Sequence, residues 1–400
     1  MTKNIVICLD GTGNEIEENI SNVLKIYRVV ERSDDQPVYY AQGVGTLAEV
    51  RLWARAQQWF FDSFLGKTFG YGMDAKVQDA YRFLIRHFDD GDRVFIFGYS
   101  RGAYTARVLA GMLHSVGILK PDQENLSGAA YAAYLSEPRG QTTTQVTDED
   151  KDDVSEKESR ASTFRRITQP RNCPVHFLGL FDTVGSIFVP NFGKKPHWFF
   201  TSDPYPHTFF NPSVRQVVHA VSIDERRQMF PASLWPQGQV FRPNRFSTSE
   251  PAPQLLDEMW FAGGHGDIGG GNPRPDSGLS QIPLIWMLEH AETASLDIFN
   301  RMKDYVTGVK PYTRKTEHLY PSADPTAKLH KSLKWLWWLS EFIPTTGPKV
   351  KATPKSKWWP HFPVGRRRKI PANANIHSSV TKRLESIQDY RPPNLSDRPD

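Results

Sequence analysis

The chain predicts an α/β fold built on a mainly parallel sheet, and three observations predict it. Short apolar runs recur along the sequence, each closed by Gly, Asp or Pro. Helical patterns fill the intervals between them, and one run passes through Gly-x-Ser-x-Gly straight into a helix. Strands covered by helices on both faces are apolar throughout rather than alternating, and strand-helix alternation implies crossover units in a parallel sheet.

The elements follow in order. Ile5–Leu9, Val38–Ala41, Arg93–Phe97, Val175–Phe181 and Met259–Ala262 read as buried strands. Between the second and third, residues 73–88 place Met73, Val77, Ala80, Tyr81, Leu84, Ile85 and Phe88 on one helical face. Residues 103–116 are mostly apolar, as a central helix requires. Two stretches break the rhythm. Residues 142–160 hold seven acids and almost nothing apolar, which predicts a solvated insertion over about 140–162. Residues 186–212 mix Pro, Phe, Trp and His without periodicity, as an irregular excursion over a cleft would.

Four hundred residues exceed one ordinary core, and 39% hydrophobic content rules out global disorder. The expected division is a main domain over 1–300 and a C-terminal helical, basic, Trp-rich region over 301–400 that packs on the core or extends from it. Cys8 and Cys173 lie in apolar runs, without metal-ligand spacing, and read as buried free thiols. No secretory leader or run of 18 apolar residues is visible. The expectation is therefore a cytoplasmic protein, or one exported without a signal peptide, with scope for membrane association. The net charge of +5 is local in origin. Residues 331–369 carry ten Lys/Arg against one acid, Glu341, so the rest of the chain is acidic.

The segment Arg93 to Arg107 carries the chemistry. A β-rich run meets Gly98-Tyr99-Ser100-Arg101-Gly102, and a helix begins at once. A serine nucleophile must be held exposed on a tight strand-to-helix turn, and glycines at both flanks let strand and helix approach around it. The turn also puts Ser100 at the positive end of a helix, with the Arg101 N–H as an oxyanion donor. The chain is thus read as an α/β-hydrolase-like fold with insertions and a C-terminal appendage, carrying Ser100 as nucleophile.

The partners should follow in the order acid, then histidine. Val175 to Ser186 is a strand ending in Asp182, on the same sheet edge as the elbow. Met259 to Asn272 is another strand, followed by His265 in a run with six glycines. His219 competes for the role of base and Asp267 for that of orienting acid. A second oxyanion donor is expected from the loop after the first strand, at Gly11 or Thr12.

These motifs in succession resemble a known family. LDGTGN (9–14), QGVGT (42–46), GDRVFIFGYSRGAYTAR (91–107), GLFDTVGS (179–186), HAVSIDERR (219–227) and WFAGGHGDIGGG (260–271) look like the catalytic domain of type VI secretion lipase effectors. IHSSVTKRL (376–384) looks like its closing segment. The resemblance spans about residues 3–290 and touches the C-terminus. It implies a triad of Ser100, Asp182 and His265, and lipolytic activity such as some members have. Gly264 and Gly266 depart from the pattern, where members often carry a bulkier residue and Ser around the histidine.

The C-terminal region reads in two ways. Lys331 to Ile343 places Trp335, Leu336, Leu339, Phe342 and Ile343 on one helical face, and a stretch of basic residues with a Trp pair follows. Five of the eleven tryptophans fall within 331–369. Trp with Lys/Arg suits a segment lying at a bilayer surface, a peripheral attachment; equally, a helix can pack on the core ahead of a solvated basic loop. Nucleic-acid binding is a third reading.

The expected function is cleavage of carboxylic esters, lipids or phospholipids foremost, through an acyl-enzyme and without cofactor or metal. Two other classes compete. Asp10-Gly11-Thr12 hints at an aspartate-nucleophile phosphohydrolase, but that motif needs an aspartate at position 8, which is Cys. A non-catalytic membrane or nucleic-acid binder on a hydrolase scaffold is the other.

Overall fold

The structure is a computed structural model that describes residues 2–11, 19–43, 67–138, 159–188, 200–202, 205–227, 230–243, 250–312, 320–333 and 365–396. Thr12, residues 139–158 of the acidic insertion and residues 334–364 of the Trp-rich segment lie outside the described residues.

Seven parallel strands form one sheet. They are β1 (Asn4–Leu9), β2 (Val38–Ala41), β3 (Arg93–Tyr99), β4 (Val175–Phe181), β5 (Val214–Ser222), β6 (Leu255–Phe261) and β7 (Asn375–Ile376), in the spatial order β7-β6-β5-β4-β3-β1-β2. The chain moves outward from β1 to β2, returns to β3 on the other side of β1, and then steps steadily to β7. The strand order therefore reverses between β1 and β3, and their carboxyl ends flank the crevice where sites in open α/β sheets form.

Alternate residues of β1 supply two cores. Ile5, Ile7 and Leu9 face one layer with Ile96, Leu178 and the helices α1 (Lys67–His87) and α2 (Arg101–Val116). In α1 the face from Met73 to Phe88 lies in this core, and in α2 every residue from Gly102 to Val116 is buried. Val6 and Cys8 face the other layer with Phe95, Phe97, Phe177 and the helix α3 (Gly278–Thr293), which contributes Leu284, Met287 and Leu288. Cys8 and Cys173 are free and buried.

A third, smaller cluster joins the C-terminal residues to the sheet. Val221, Ile223 and Trp260 pack with Ile370, Val380 and Tyr390, and β7 pairs with β6 at Met259 and Trp260. The chain after residue 365 thus extends the sheet past β6 and covers the carboxyl ends of β5 and β6. Among the described residues, no helix is long and apolar enough to cross a membrane.

Candidate active site

The carboxyl ends of β3, β4 and β6 deliver three side chains to one point. Ser100 follows β3 with φ 58° and ψ −121°, a backbone conformation that L-residues rarely adopt. Close packing enforces it. A Cβ on Gly98 would lie 2.5 Å from the Ala103 Cα, and one on Gly102 would lie 2.2 Å from the Leu9 carbonyl oxygen. Only glycines at these two positions let β3 and α2 turn this sharply against β1. The amide of Ser100 donates to the Phe181 carbonyl at 3.0 Å, locking the elbow to the end of β4.

His265 opens a short helix, His265–Gly269, and its Nε2 lies 2.8 Å from the Ser100 Oγ. Its Nδ1 lies 2.5 Å from the Asp182 Oδ2. The glycine-rich run folds as this single turn because Asp267 caps it, accepting from the Gly264 N–H at 3.0 Å. Asp182 sits one residue past β4 with a positive φ of 42°, and its amide donates to the Ala220 carbonyl of β5 at 2.7 Å. All three side chains are buried, Ser100 and His265 retaining 6% exposure each.

Electrostatics suit a neutral imidazole beside an ionised acid. Burial would raise the Asp182 carboxyl, but the Arg368 guanidinium and the hydrogen bonds from His265 and Arg368 hold it well below the usual carboxylate range. Burial lowers the His265 imidazole, and its bond to Asp182 opposes that only in part. The imidazole is therefore neutral near pH 7 and free to accept a proton at Nε2.

Around the three lies a shell of further polar and aromatic groups. The Ser222 N–H donates to the Asp182 Oδ1 at 2.9 Å. Glu225 accepts the His265 backbone N–H at 3.2 Å and is clasped by Arg227, whose Nε and Nη2 each lie 3.0 Å from it. Burial would raise that carboxyl, and Arg227 brings it down to about 2. The Tyr99 ring lies 4.8 Å from the imidazole, and Phe230 closes it edge-on at 5.1 Å. Arg368, 8% exposed, contacts both Asp182 oxygens. Glu225 and Arg227 had a signal in the charged close of an apolar run, IDERR; Arg368 had none, being one of four consecutive basic residues.

Both competing residues are engaged elsewhere. His219 accepts the Thr183 N–H at Nε2, 3.2 Å away, and pairs with Glu258 through Nδ1 at 2.9 Å. Asp267 binds Asn272 and both the N–H and the ring of His330, so it braces the turn instead of orienting His265. This brace accounts for Gly264, where a Cβ would lie 2.8 Å from the His330 carbonyl oxygen.

Of the expected oxyanion donors, Arg101 stands at the first position of α2, next to Ser100. Gly11 does not offer its amide, which donates to its own neighbour's carboxylate, the Asp10 Oδ1, at 2.7 Å. Asp10 also accepts from Ser21 at 2.5 Å and Tyr40 at 2.8 Å, which makes it the anchor of the loop after β1. Among the described residues, no group of three or more His, Cys, Asp or Glu is placed to hold a metal ion.

The family described as "T6SS, Phospholipase effector Tle1-like, catalytic domain" matches residues 3–290. The chain belongs to that family. An uncharacterized protein of Saccharomyces cerevisiae, YEL023C, is 32% identical over 235 residues, 57% of this chain and 32% of the yeast protein. An uncharacterized Pseudomonas aeruginosa protein of known crystal structure is 19% identical, with a TM-score of 0.35 over 74% of this chain and 46% of that one. The Tle1 effector solved bound to the VgrG spike of the type 6 secretion system is 17% identical, with a TM-score of 0.33 over 67% of this chain and 51% of that one. The chain thus spans about half or less of the length of these relatives.

Proposed function

We propose that the protein is a serine carboxylester hydrolase that acts on lipids, phospholipids foremost. The observation that carries this is the unbroken relay from Ser100 through His265 to Asp182, with 2.8 Å and 2.5 Å between its members. Family membership directs the substrate class. Ser100 Oγ attacks the acyl carbonyl while His265 Nε2 takes its proton, and Asp182 holds the tautomer and stabilises the imidazolium. The Arg101 amide and the positive end of α2 stabilise the oxyanion. His265 then protonates the leaving alcohol, and water, deprotonated by the same imidazole, releases the acid from Ser100. The basic tryptophan-rich stretch within 331–364 attaches the protein to anionic bilayers, a reading that rests on its composition.

The test compares wild type with Ser100→Ala on a short p-nitrophenyl ester and on anionic phospholipid vesicles. Loss of at least about three orders of magnitude in kcat on both is expected. Wild type active on the ester alone would retain the hydrolase and remove the lipid substrate. Inactivity on both, with vesicle binding intact, would overturn catalysis in favour of a binder on a hydrolase scaffold.

A further inference from the structure

The acid of a serine triad ordinarily faces one histidine and a few backbone amides. Here it also meets a buried arginine. Arg368 Nη1 donates to Asp182 Oδ1 at 2.5 Å and Nη2 to Oδ2 at 3.1 Å, a fork closed on both oxygens. With the Ser222 N–H on Oδ1 and the His265 ring on Oδ2, each carboxylate oxygen has two partners. The arginine is equally committed. Nε and Nη2 donate to the Phe230 carbonyl at 3.0 and 2.7 Å, and Nη1 reaches the Ser222 carbonyl at 3.3 Å. Its own carbonyl accepts from Asn394 at 3.1 Å, which bonds the Ile223 carbonyl as well. All five N–H groups of the guanidinium are satisfied, and every bond ties the C-terminal segment to the site.

We propose that Arg368 is a positioning residue of the active site, fixing the Asp182 carboxylate and thereby the orientation and electrostatic setting of His265. The proposal rests on the triad reading above and adds to it a component from beyond residue 290, where the family match ends. Two consequences follow. A carboxylate with all its acceptor positions filled cannot rotate away from the imidazole. A cation that shares Asp182 Oδ2 with the imidazole also opposes protonation of that ring, both by direct repulsion and by offsetting the carboxylate charge.

The groups that face His265 set what else could mask this effect. From β4 comes Asp182; from the segment after β5 come Glu225 and Arg227, which offset each other; from β3 comes the Tyr99 phenol, which burial keeps neutral; and from the C-terminal segment comes Arg368. His219, behind Asp182, is kept neutral by burial. Removal of the Arg368 charge therefore leaves Asp182 to act on the imidazole with less opposition. The His265 titration should move up by on the order of one unit.

The experiment reads that titration directly in full-length protein carrying 13C-labelled histidine, with the His265 resonance assigned from His265→Gln. It needs no substrate, so its outcome is separate from whether the ester is cleaved. Wild type is compared with Arg368→Met, which removes the charge and keeps the bulk, and Arg368→Lys, which keeps the charge and loses the fork. Arg366→Gln, at an exposed neighbour, controls for net charge. Expected is an upward shift of about one unit in Arg368→Met, little shift in Arg368→Lys, and none in Arg366→Gln. On a soluble ester the acidic limb of kcat/KM should move with the titration, with kcat reduced roughly tenfold or more in Arg368→Met and less in Arg368→Lys. A folded Arg368→Met with an unmoved His265 titration would overturn the proposal, whatever its activity. Should Arg368→Met not fold, a titration in Arg368→Lys displaced upward by a full unit would overturn it equally. Activity in Ser100→Ala equal to wild type would instead defeat the triad reading and leave the titration result standing.

Discussion

Replacing Asp182 with Asn should damage catalysis and stability through separable causes. The carboxylate holds the His265 Nδ1 at 2.5 Å and both arms of Arg368. An asparagine of the same shape still accepts at Oδ1 from Ser222 and Arg368. Its NH2 then confronts the His265 Nδ1–H and the Arg368 Nη2, donor against donor. The imidazole is left to flip its tautomer, which places a proton on Nε2 where Ser100 needs an acceptor, at a cost of about four orders of magnitude in kcat. Separately, Arg368 at 6% side-chain exposure loses its counter-ion, and an uncompensated buried charge costs about 3–5 kcal/mol. Hydrolysis of a soluble ester measures the first effect and urea unfolding the second. The double variant Asp182→Asn with Arg368→Met separates them: it should recover most of the lost stability and none of the activity. An Asp182→Asn protein within tenfold of wild-type kcat, or a double variant less stable than the single one, would refute this account.

Three further perturbations probe the frame around the site. Gly102→Ala sets a methyl 2.2 Å from the Leu9 carbonyl oxygen and 2.5 Å from that of Asp10, backbone atoms that cannot move without shifting β1. It should lower stability by roughly 3 kcal/mol or more, and an unchanged unfolding midpoint would disprove the contact. His219→Gln removes a buried pairing with Glu258 but no step of catalysis, so unfolding should show a loss of about 1–3 kcal/mol while kcat stays within tenfold, whereas His265→Gln abolishes turnover; equal loss of kcat in both would reverse their roles. Lys25 is fully buried, and burial, with Arg274 and Arg28 adding to it, lowers its ammonium from 10.5 to about 7. Because the folded value lies below the unfolded one, stability is full above about pH 10.5 and falls as the pH drops towards 7. Lys25→Met should therefore exceed wild type by on the order of 2 kcal/mol at pH 7, with the gap narrowing at pH 10; a gap that does not change with pH would contradict it.

How much of this was legible depends on where the polar groups fall. β1, β3 and β4 are apolar over most of their length because helices cover both faces, and β2 keeps its expected bounds. β5 carries no clean strand signal because Arg215, Gln216 and His219 interrupt its pattern, and the burial of His219 depends on partners far away in sequence, Glu258 and the Thr183 amide. The start of β6 was hidden in the same way: Asp257 and Glu258 look like loop residues until they meet His290 and His219. β7 has two residues and carries no signal of its own. In the site, Ser100, Asp182 and His265 follow strand ends, where local sequence fixes position, and the structure brings the three together. Glu225 and Ser222 act through β5, and Arg368 arrives 186 residues after its partner, so neither composition nor periodicity marks it.

The tail illustrates why composition misleads most where function is concentrated. Arg366 to Lys369 belong to the basic stretch expected to face solvent or a bilayer, yet the chain turns Arg367 to Asp224 at 3.1 Å and Arg368 to Asp182. Only Arg366 and Lys369 stay exposed. Asp224 explains the arrangement, since it also accepts from the Gly263 N–H at 2.9 Å and from Tyr390 at 2.8 Å. One carboxylate thereby joins the end of β5, the turn that carries His265 and the C-terminal segment at Tyr390. The two buried acids at the carboxyl ends of β4 and β5 therefore call for two cations, and two adjacent arginines supply both. The basic run is thus divided: its middle pair neutralises acids of the site, and Arg366 and Lys369 are left to meet whatever surface the protein approaches.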